Sequence, residues 1–242
     1  MSHDSIVFGA SETSALHEWS PTEERIVSYL PLSHIAGMMF DIYYPMSKAS
    51  TTCFADSNAL KGTLIDNLKY YKPTRFLGVP RVWEKMEEKI KLAGKETKGL
   101  KRKIADWAKN EALQYHLACD EGNDKQGLKY KVAKKVVLSK IHEALGLDSV
   151  VKSMCATGGA AISRDTHVFF LNLGKRNELT LIDKFNINFF GIDIRLLEVY
   201  GSTESLGPQI QGLPFPGCNK MGTIGKITPG LAEGKVESLI FI

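Results

Sequence analysis

Long apolar runs are missing from this chain. No stretch approaches the roughly 18 consecutive apolar residues of a membrane-spanning helix. Met1 to Ala10 lacks the basic segment and apolar core of a secretory signal peptide. Cysteine is scarce and scattered: Cys53, Cys119, Cys155 and Cys218 form no CxxC pair. That argues against zinc and against a disulfide framework, and it fits a reducing, cytoplasmic compartment. Ser33 and His34 are neighbours, but no nucleophile elbow of the hydrolase type accompanies them, so no catalytic triad is credible. The charge is nearly balanced, with a formal net of +4, and no nucleic-acid recognition motif goes with it.

What remains is a globular composition. The chain has 242 residues, 43% of them hydrophobic, enough for a sizeable core in one or two domains. The basic excess is local. Between Glu84 and Glu143 there are 15 Lys/Arg against 10 Asp/Glu, whereas the rest of the chain has 16 against 17. Three readings fit that basic stretch: a solvated helix face, contact with anionic lipid head groups, or contact with phosphates of a ligand.

Strand and helix signals alternate along the sequence. Ser20 to Glu24 reads as a loop, Arg25 to Pro31 as a strand, and the segment after Gly37 as a helix. Ala49 to Ala55 is β-prone, and Leu60 to Tyr71 has helical apolar spacing that ends at Pro73. Thr74 to Val79 predicts a short strand. Pro80 then opens a helix whose Trp83, Met86 and Ile90 share a face. Further helices are expected over Ile104–Tyr115 and Tyr130–Leu145, linked by Glu121 to Asp124. Ser149 to Cys155 predicts a buried strand running into Gly158-Gly159, and Ser163 caps a helix toward Leu171. The pattern predicts an α/β fold with mainly parallel sheets flanked by helices, in which ligands sit beyond the carboxyl ends of strands.

One turn concentrates chemistry. The run Ile194 to Tyr200 is β-type and stops at Gly201, leaving Tyr200, Ser202, Thr203 and Glu204 within five residues. An aromatic can stack on a base, a hydroxyl can donate to phosphate, and a carboxylate can hold Mg2+, which prefers oxygen ligands. Those residues suit a nucleotide bound with a metal ion, although an ordinary polar strand-to-loop turn would also look like this. Gly158 and Gly159 permit close approach of backbone to a ligand, or form a plain tight turn. Taken alone, His34 reads as structural.

Four strings occur in order: Leu30-Pro31-Leu32-Ser33-His34-Ile35-Ala36-Gly37, Gly78-Val79-Pro80-Arg81-Val82-Trp83-Glu84-Lys85, Thr157-Gly158-Gly159-Ala160-Ala161 and Tyr200-Gly201-Ser202-Thr203-Glu204. Together they resemble AMP-forming long-chain fatty acid–CoA ligases of the bubblegum-type branch. The resemblance implies a fragment of the large N-terminal domain of adenylate-forming enzymes, with ATP, Mg2+ and CoA as cofactors and a long-chain fatty acid as substrate. The implied reaction joins fatty acid and ATP into acyl-AMP and pyrophosphate, after which CoA displaces AMP. By the same resemblance, Thr203, Glu204 and His34 are catalytic, with Glu204 also holding the metal. Gly158, Gly159, Ala160, Tyr200, Gly201 and Ser202 are cofactor-binding. His34 lies beside the acyl-adenylate, and Met38 and Met39 line an acyl tunnel or pack in the core. Location is expected to be cytoplasmic, with peripheral contact through region 84–143 at the endoplasmic reticulum or another intracellular membrane. A non-catalytic acyl- or nucleotide-binding module and another adenylate-forming ligase are the alternatives.

The chain departs from the family pattern in three ways. It begins just after the place of the Gly/Ser/Thr-rich phosphate loop, and it stops before the ribose-binding Asp, the hinge and the C-terminal lysine. Residues 174–190 read as a non-family insert and 231–242 as an atypical tail, as retained-intron sequence or a gene-model error would, with a genuine family-specific loop as the alternative. The expectation is a partial AMP-binding domain over 1–242 that is inactive alone.

Overall fold

The computed structural model describes residues 2–96, 99–120, 127–150, 155–172, 196–213 and 224–229. The expected insert at 174–190, the tail at 231–242 and the Glu121–Asp124 link lie outside the described residues.

The chain opens on α1 (His3–Leu16), which the sequence reading did not anticipate. Ser2 caps it, its hydroxyl accepting from the Ser5 N–H at 3.2 Å. Strand β1 (Arg25–Ser28) follows, then α2 (Ile35–Gly37), a π-helical stretch over Met38–Tyr43, and α3 (Tyr44–Lys48). Strand β2 (Thr51–Phe54) pairs in parallel with β1, making a two-stranded sheet.

A second sheet has the order β3-β4-β5-β6-β7. It is formed by β3 (Phe76–Gly78), β4 (Cys155–Gly158), β5 (Leu196–Ser202), β6 (Gly207–Gln211) and β7 (Lys226–Ile227). Strands β3, β4 and β5 run parallel, and β6 and β7 close the sheet antiparallel. The helices between them are α4 (Leu64–Tyr71), α5 (Pro80–Glu96), α6 (Gly99–Asp120), α7 (Leu128–Ala133), α8 (Ser139–Leu145) and α9 (Arg164–Asn172). A π turn, Lys134–Leu138, joins α7 to α8 into one rod. The α/β architecture expected from the sequence is therefore present. The reading of β5 needs one correction. The strand does not stop at Gly201 but continues to Ser202, with a register shift between Tyr200 and Gly201.

Strand alternation sorts the core into two layers. Phe76, Cys155 and Leu196 join Leu68, Trp83, Met86, Leu145 and Phe170 on one face. Their sequence neighbours Leu77 and Leu197 join Ala10, Trp19, Ile26, Met39, Phe40 and Tyr44 on the other. Trp83 is fully buried, edge-on to both Phe76 and Phe170 at 5.4 Å, and its indole N–H donates to the Gly78 carbonyl at 3.0 Å. A Cβ on Gly78 would come within 2.7 Å of that ring, which is why glycine stands there.

The two sheets meet at a buried ion pair. Arg75, just before β3, bonds Glu24, just before β1, at 2.8 Å, and both side chains are almost fully buried. The same guanidinium donates to the carbonyls of His17 and Glu18 and lies 4.9 Å from the Trp19 ring centroid. Burial alone would raise the Glu24 carboxyl. Hydrogen bonds from Arg75 and Thr74 outweigh burial and hold it below the usual carboxylate range. Removing one partner leaves an uncompensated buried charge. Arg75→Met is therefore expected to cost about 3–5 kcal/mol of stability in urea unfolding. Glu24→Leu with Arg75→Met should cost less than the sum of the two single changes. Strict additivity would mean the pair is not coupled.

Candidate functional site

A cavity of about 280 Å³ is walled on one side by strands of the five-stranded sheet and on the other by the segment that follows β1. The loop after β1 supplies Leu30, Pro31 and His34, and the helical run after it supplies Met39, Phe40 and Tyr44. The parallel strands supply Leu77, Ala156, Gly158 and Val199, and Gly201, Ser202, Pro208 and Gln211 complete the wall. Leu77, Ala156, Gly158, Val199 and Gly201 share the strand parity that faces the α1 side. The lining is mostly apolar, with Thr13, Tyr44, Gln211, Ser202 and His34 as its polar side chains.

Of the candidates from the sequence, His34, Gly158, Gly159, Gly201 and Ser202 line this cavity. Tyr200, Thr203, Glu204 and Ala160 do not line it, and all four are exposed. The division is geometric. Tyr200 is one residue out of phase with Val199 and Gly201, so alternation sends it to the other sheet face. Thr203 and Glu204 lie past the strand end. His34 follows β1, which belongs to the two-stranded sheet, whereas Gly158 and Gly201 lie on strands of the five-stranded one. Met39 is buried in the core and lines the cavity.

His34 caps α2. Its Nδ1 accepts from the Ala36 N–H at 3.1 Å, so the neutral ring carries its proton on Nε2. Gly37 lets this loop close tightly, since a Cβ there would come within 2.7 Å of the Pro31 carbonyl oxygen. Gly159 has φ of +83°, a conformation that favours glycine. Gly201 is tighter still than Gly37. A Cβ there would meet the Gly207 carbonyl at 2.2 Å, across the β5–β6 ladder.

Beyond Gly201 the turn is knit by Ser205. Its hydroxyl donates to the carbonyls of Ser202 and Gly207, each at 2.9 Å, and accepts from the Ser202 N–H at 3.0 Å. The main chain is thereby fixed while the side chains of Thr203 and Glu204 stay exposed. Hydrogen bonds from the Glu204 backbone and from Ser202 lower the Glu204 carboxyl below its ordinary value. Behind the strand, on the opposite face, His167 of α9 meets Glu198 at 3.2 Å.

Sequence reasoning missed the polar floor. Gln211 is buried, with its amide fixed at both ends. It accepts from His17 Nε2 at 2.7 Å and donates to Thr228 at 2.9 Å, and Thr228 donates to the Pro208 carbonyl at 2.6 Å. His17 and Gln211 are 194 positions apart, so no local pattern marks them.

Residues 1–237 match the AMP-binding enzyme family. The chain belongs to this family. It is 41% identical over 233 residues to the long-chain-fatty-acid–CoA ligase ACSBG2 of Xenopus laevis, covering 95% of this chain and 28% of that protein. It is 37% identical to the human ACSBG2 ligase (86% and 28% covered) and 34% identical to the rat ACSBG1 ligase (95% and 29%). It thus spans under a third of the length of these relatives. Among solved structures, a benzoate CoA ligase from Burkholderia xenovorans LB400 superposes with a TM-score of 0.53 at 15% identity, covering 95% of this chain and 32% of that one. Apo MatB from Rhodopseudomonas palustris gives 0.52 at 14% identity, covering 95% and 31%. These two likenesses show the shared fold.

Two outcomes are expected from the site's own geometry. Gly201→Ala should part β5 from β6 and destabilise the protein by about 1–3 kcal/mol in thermal or urea unfolding. An unchanged midpoint would show that the ladder yields freely. His17 should make stability pH-dependent. Burial, aided by the nearby Arg75 charge and opposed by the Gln211 hydrogen bond, lowers its pKa from 6.5 to about 4. Between those values the unfolded chain takes up a proton that the folded one refuses. Stability should therefore fall by up to about 3 kcal/mol as pH drops from 6.5 to 4. His17→Gln should flatten that part of the profile, and an unaltered profile would remove His17 as its source.

Proposed function

We propose that this chain is the part of a long-chain fatty acid–CoA ligase in which the fatty acid is joined to AMP. The whole reaction converts fatty acid, ATP and CoA to acyl-CoA, AMP and pyrophosphate. The observation that carries the reading is the cavity. It has an apolar wall, glycines at its strand ends and a polar turn beside it, in a chain 34–41% identical to named ligases of this type. An acyl chain suits the wall of Leu30, Met39, Phe40 and Val199. The carboxylate end belongs near His34, whose Nε2–H can donate to an oxygen. Gly158, Gly159, Ala160, Gly201 and Ser202 let a nucleotide approach the main chain closely. Tyr200 offers an exposed ring for the base, and Thr203 a hydroxyl for a phosphate oxygen.

Glu204 fits a magnesium ion, since its carboxyl is exposed and held ionised. Among the described residues no three acidic, His or Cys side chains cluster, so phosphate oxygens of the substrate would complete the shell. Mg2+ there would neutralise phosphate charge, and the protein's share is alignment of the two reactants. The reading extends to cytoplasmic location with peripheral membrane contact through the basic helices of region 84–143.

Glu204→Gln in the full-length enzyme containing this segment tests the assignment. Fatty-acid-dependent ATP–pyrophosphate exchange should drop about a hundredfold, the scale for losing one charge-stabilising group. Fatty acid affinity should hold, because the cavity wall is unchanged. Parallel loss in both assays would make Glu204 structural and sink its metal role.

A further inference from the structure

The rod formed by α7, the π turn and α8 has two unlike faces. Tyr130, Ala133 and Leu138 are buried. On the outward side, Leu128 is 79% exposed, Val132 47% and Val136 44%. Spaced four apart, these three form one stripe along the rod. From Leu128 to Lys140 the sequence holds five lysines and no Asp or Glu. Lys129, Lys131, Lys135 and Lys140 are exposed beside the stripe. The acidic residues of the packed elements lie elsewhere along the chain. Asp106 of α6 pairs with Arg102 of the same helix, Glu111 is on α6, and Glu143 follows Lys140 by almost a turn.

We propose that this stripe and its lysines form a docking surface for an anionic lipid bilayer. The chemistry selects that occupant. Protein interfaces deplete lysine at their apolar centres, whereas here lysines flank every apolar residue. A bilayer surface accepts both: Leu and Val enter the acyl boundary while lysine stems lie along it and place their ammonium groups among phosphates. Free phosphates of a soluble ligand would use the lysines but leave Leu128, Val132 and Val136 in water. The surface locates the peripheral contact of the ligase reading. Vesicle binding needs no ATP, CoA or fatty acid, so its failure leaves the cavity assignment standing.

The test uses the 242-residue chain and sedimentation with vesicles of phosphatidylcholine, with or without phosphatidylserine. Binding is expected to the mixed vesicles, weakly or not at all to the neutral ones, and to fall with added salt. Lys129→Gln with Lys131→Gln and Lys135→Gln should weaken it roughly a hundredfold. Leu128→Ser with Val132→Ser and Val136→Ser should weaken it at least about tenfold at unchanged charge. Circular dichroism melting should be the same for all three proteins, since every changed side chain is exposed. If the serine variant melts early, the glutamine variant alone decides. Equal binding to neutral and anionic vesicles overturns the proposal, as does unaltered binding by the variants. Self-association without vesicle binding, lost in the serine variant, would instead assign the stripe to a second copy of this chain.

Discussion

The guanidinium of Arg75 is the group on which the arrangement of this molecule depends. A charge that deep is tolerated only when it is compensated, and here a carboxylate and two carbonyls take its terminal N–H groups while an indole face lies against it. Each partner belongs to a different piece of chain. Glu24 leads into β1, His17 and Glu18 end α1, and Arg75 itself leads into β3. The ion pair therefore fixes the two-stranded sheet against the five-stranded one. The cavity is walled by strands of the five-stranded sheet and by the segment that follows β1, so the same contact ties its two sides together. The stability carried by Glu24 exists above the carboxyl's unfolded pKa and is lost as pH falls through its lower folded value.

A second polar chain works from the other end. His17, Gln211, Thr228 and the Pro208 carbonyl join α1 to β6 and to the residue after β7. Gln211 is also a wall of the cavity, so the wall cannot shift unless α1 shifts with it. One buried amide thus links the site to the N-terminal helix, with its oxygen and its nitrogen both hydrogen-bonded. Such networks favour one arrangement because a half-made version leaves polar groups unpaired.

Much of the frame is legible in the sequence where local physics sets it. Pro80 and the Trp83, Met86, Ile90 spacing define α5, and Pro73 ends α4. The glycines of the Gly158 and Gly201 segments mark close contacts that a Cβ would break. Local pattern fails where burial is not apolar. Helix α1 buries Ala10, Thr13 and Ser14, small and partly polar residues, so it shows no apolar stripe. The π-helical stretches at Met38–Tyr43 and Lys134–Leu138 have a period that helix templates do not contain. Strand parity around Tyr200 was out of reach for a different reason. The register shift at Tyr200/Gly201 and the pairing with β6 are long-range facts, and no residue near the turn encodes them.

The same carboxylate chemistry, placed in two environments, explains why the site divides into an enclosed apolar part and an exposed polar turn. Asp41 is a buried residue of the π-helical stretch, and burial pushes its carboxyl up to about 7 in spite of a hydrogen bond from Ser28. Near neutrality such a group is about half protonated, and a protonated carboxyl is a poor ligand for a hard cation. Glu204 is exposed, and the hydrogen bonds around it keep it ionised at lower pH than an ordinary glutamate. Had the turn been folded into the cavity wall, desolvation would have acted on Glu204 as it does on Asp41. An acyl chain needs water excluded, and a metal-binding carboxylate needs its charge kept. Gly201 and Ser202, which line the cavity and lead directly into the exposed turn, let one strand end serve both needs within a few residues.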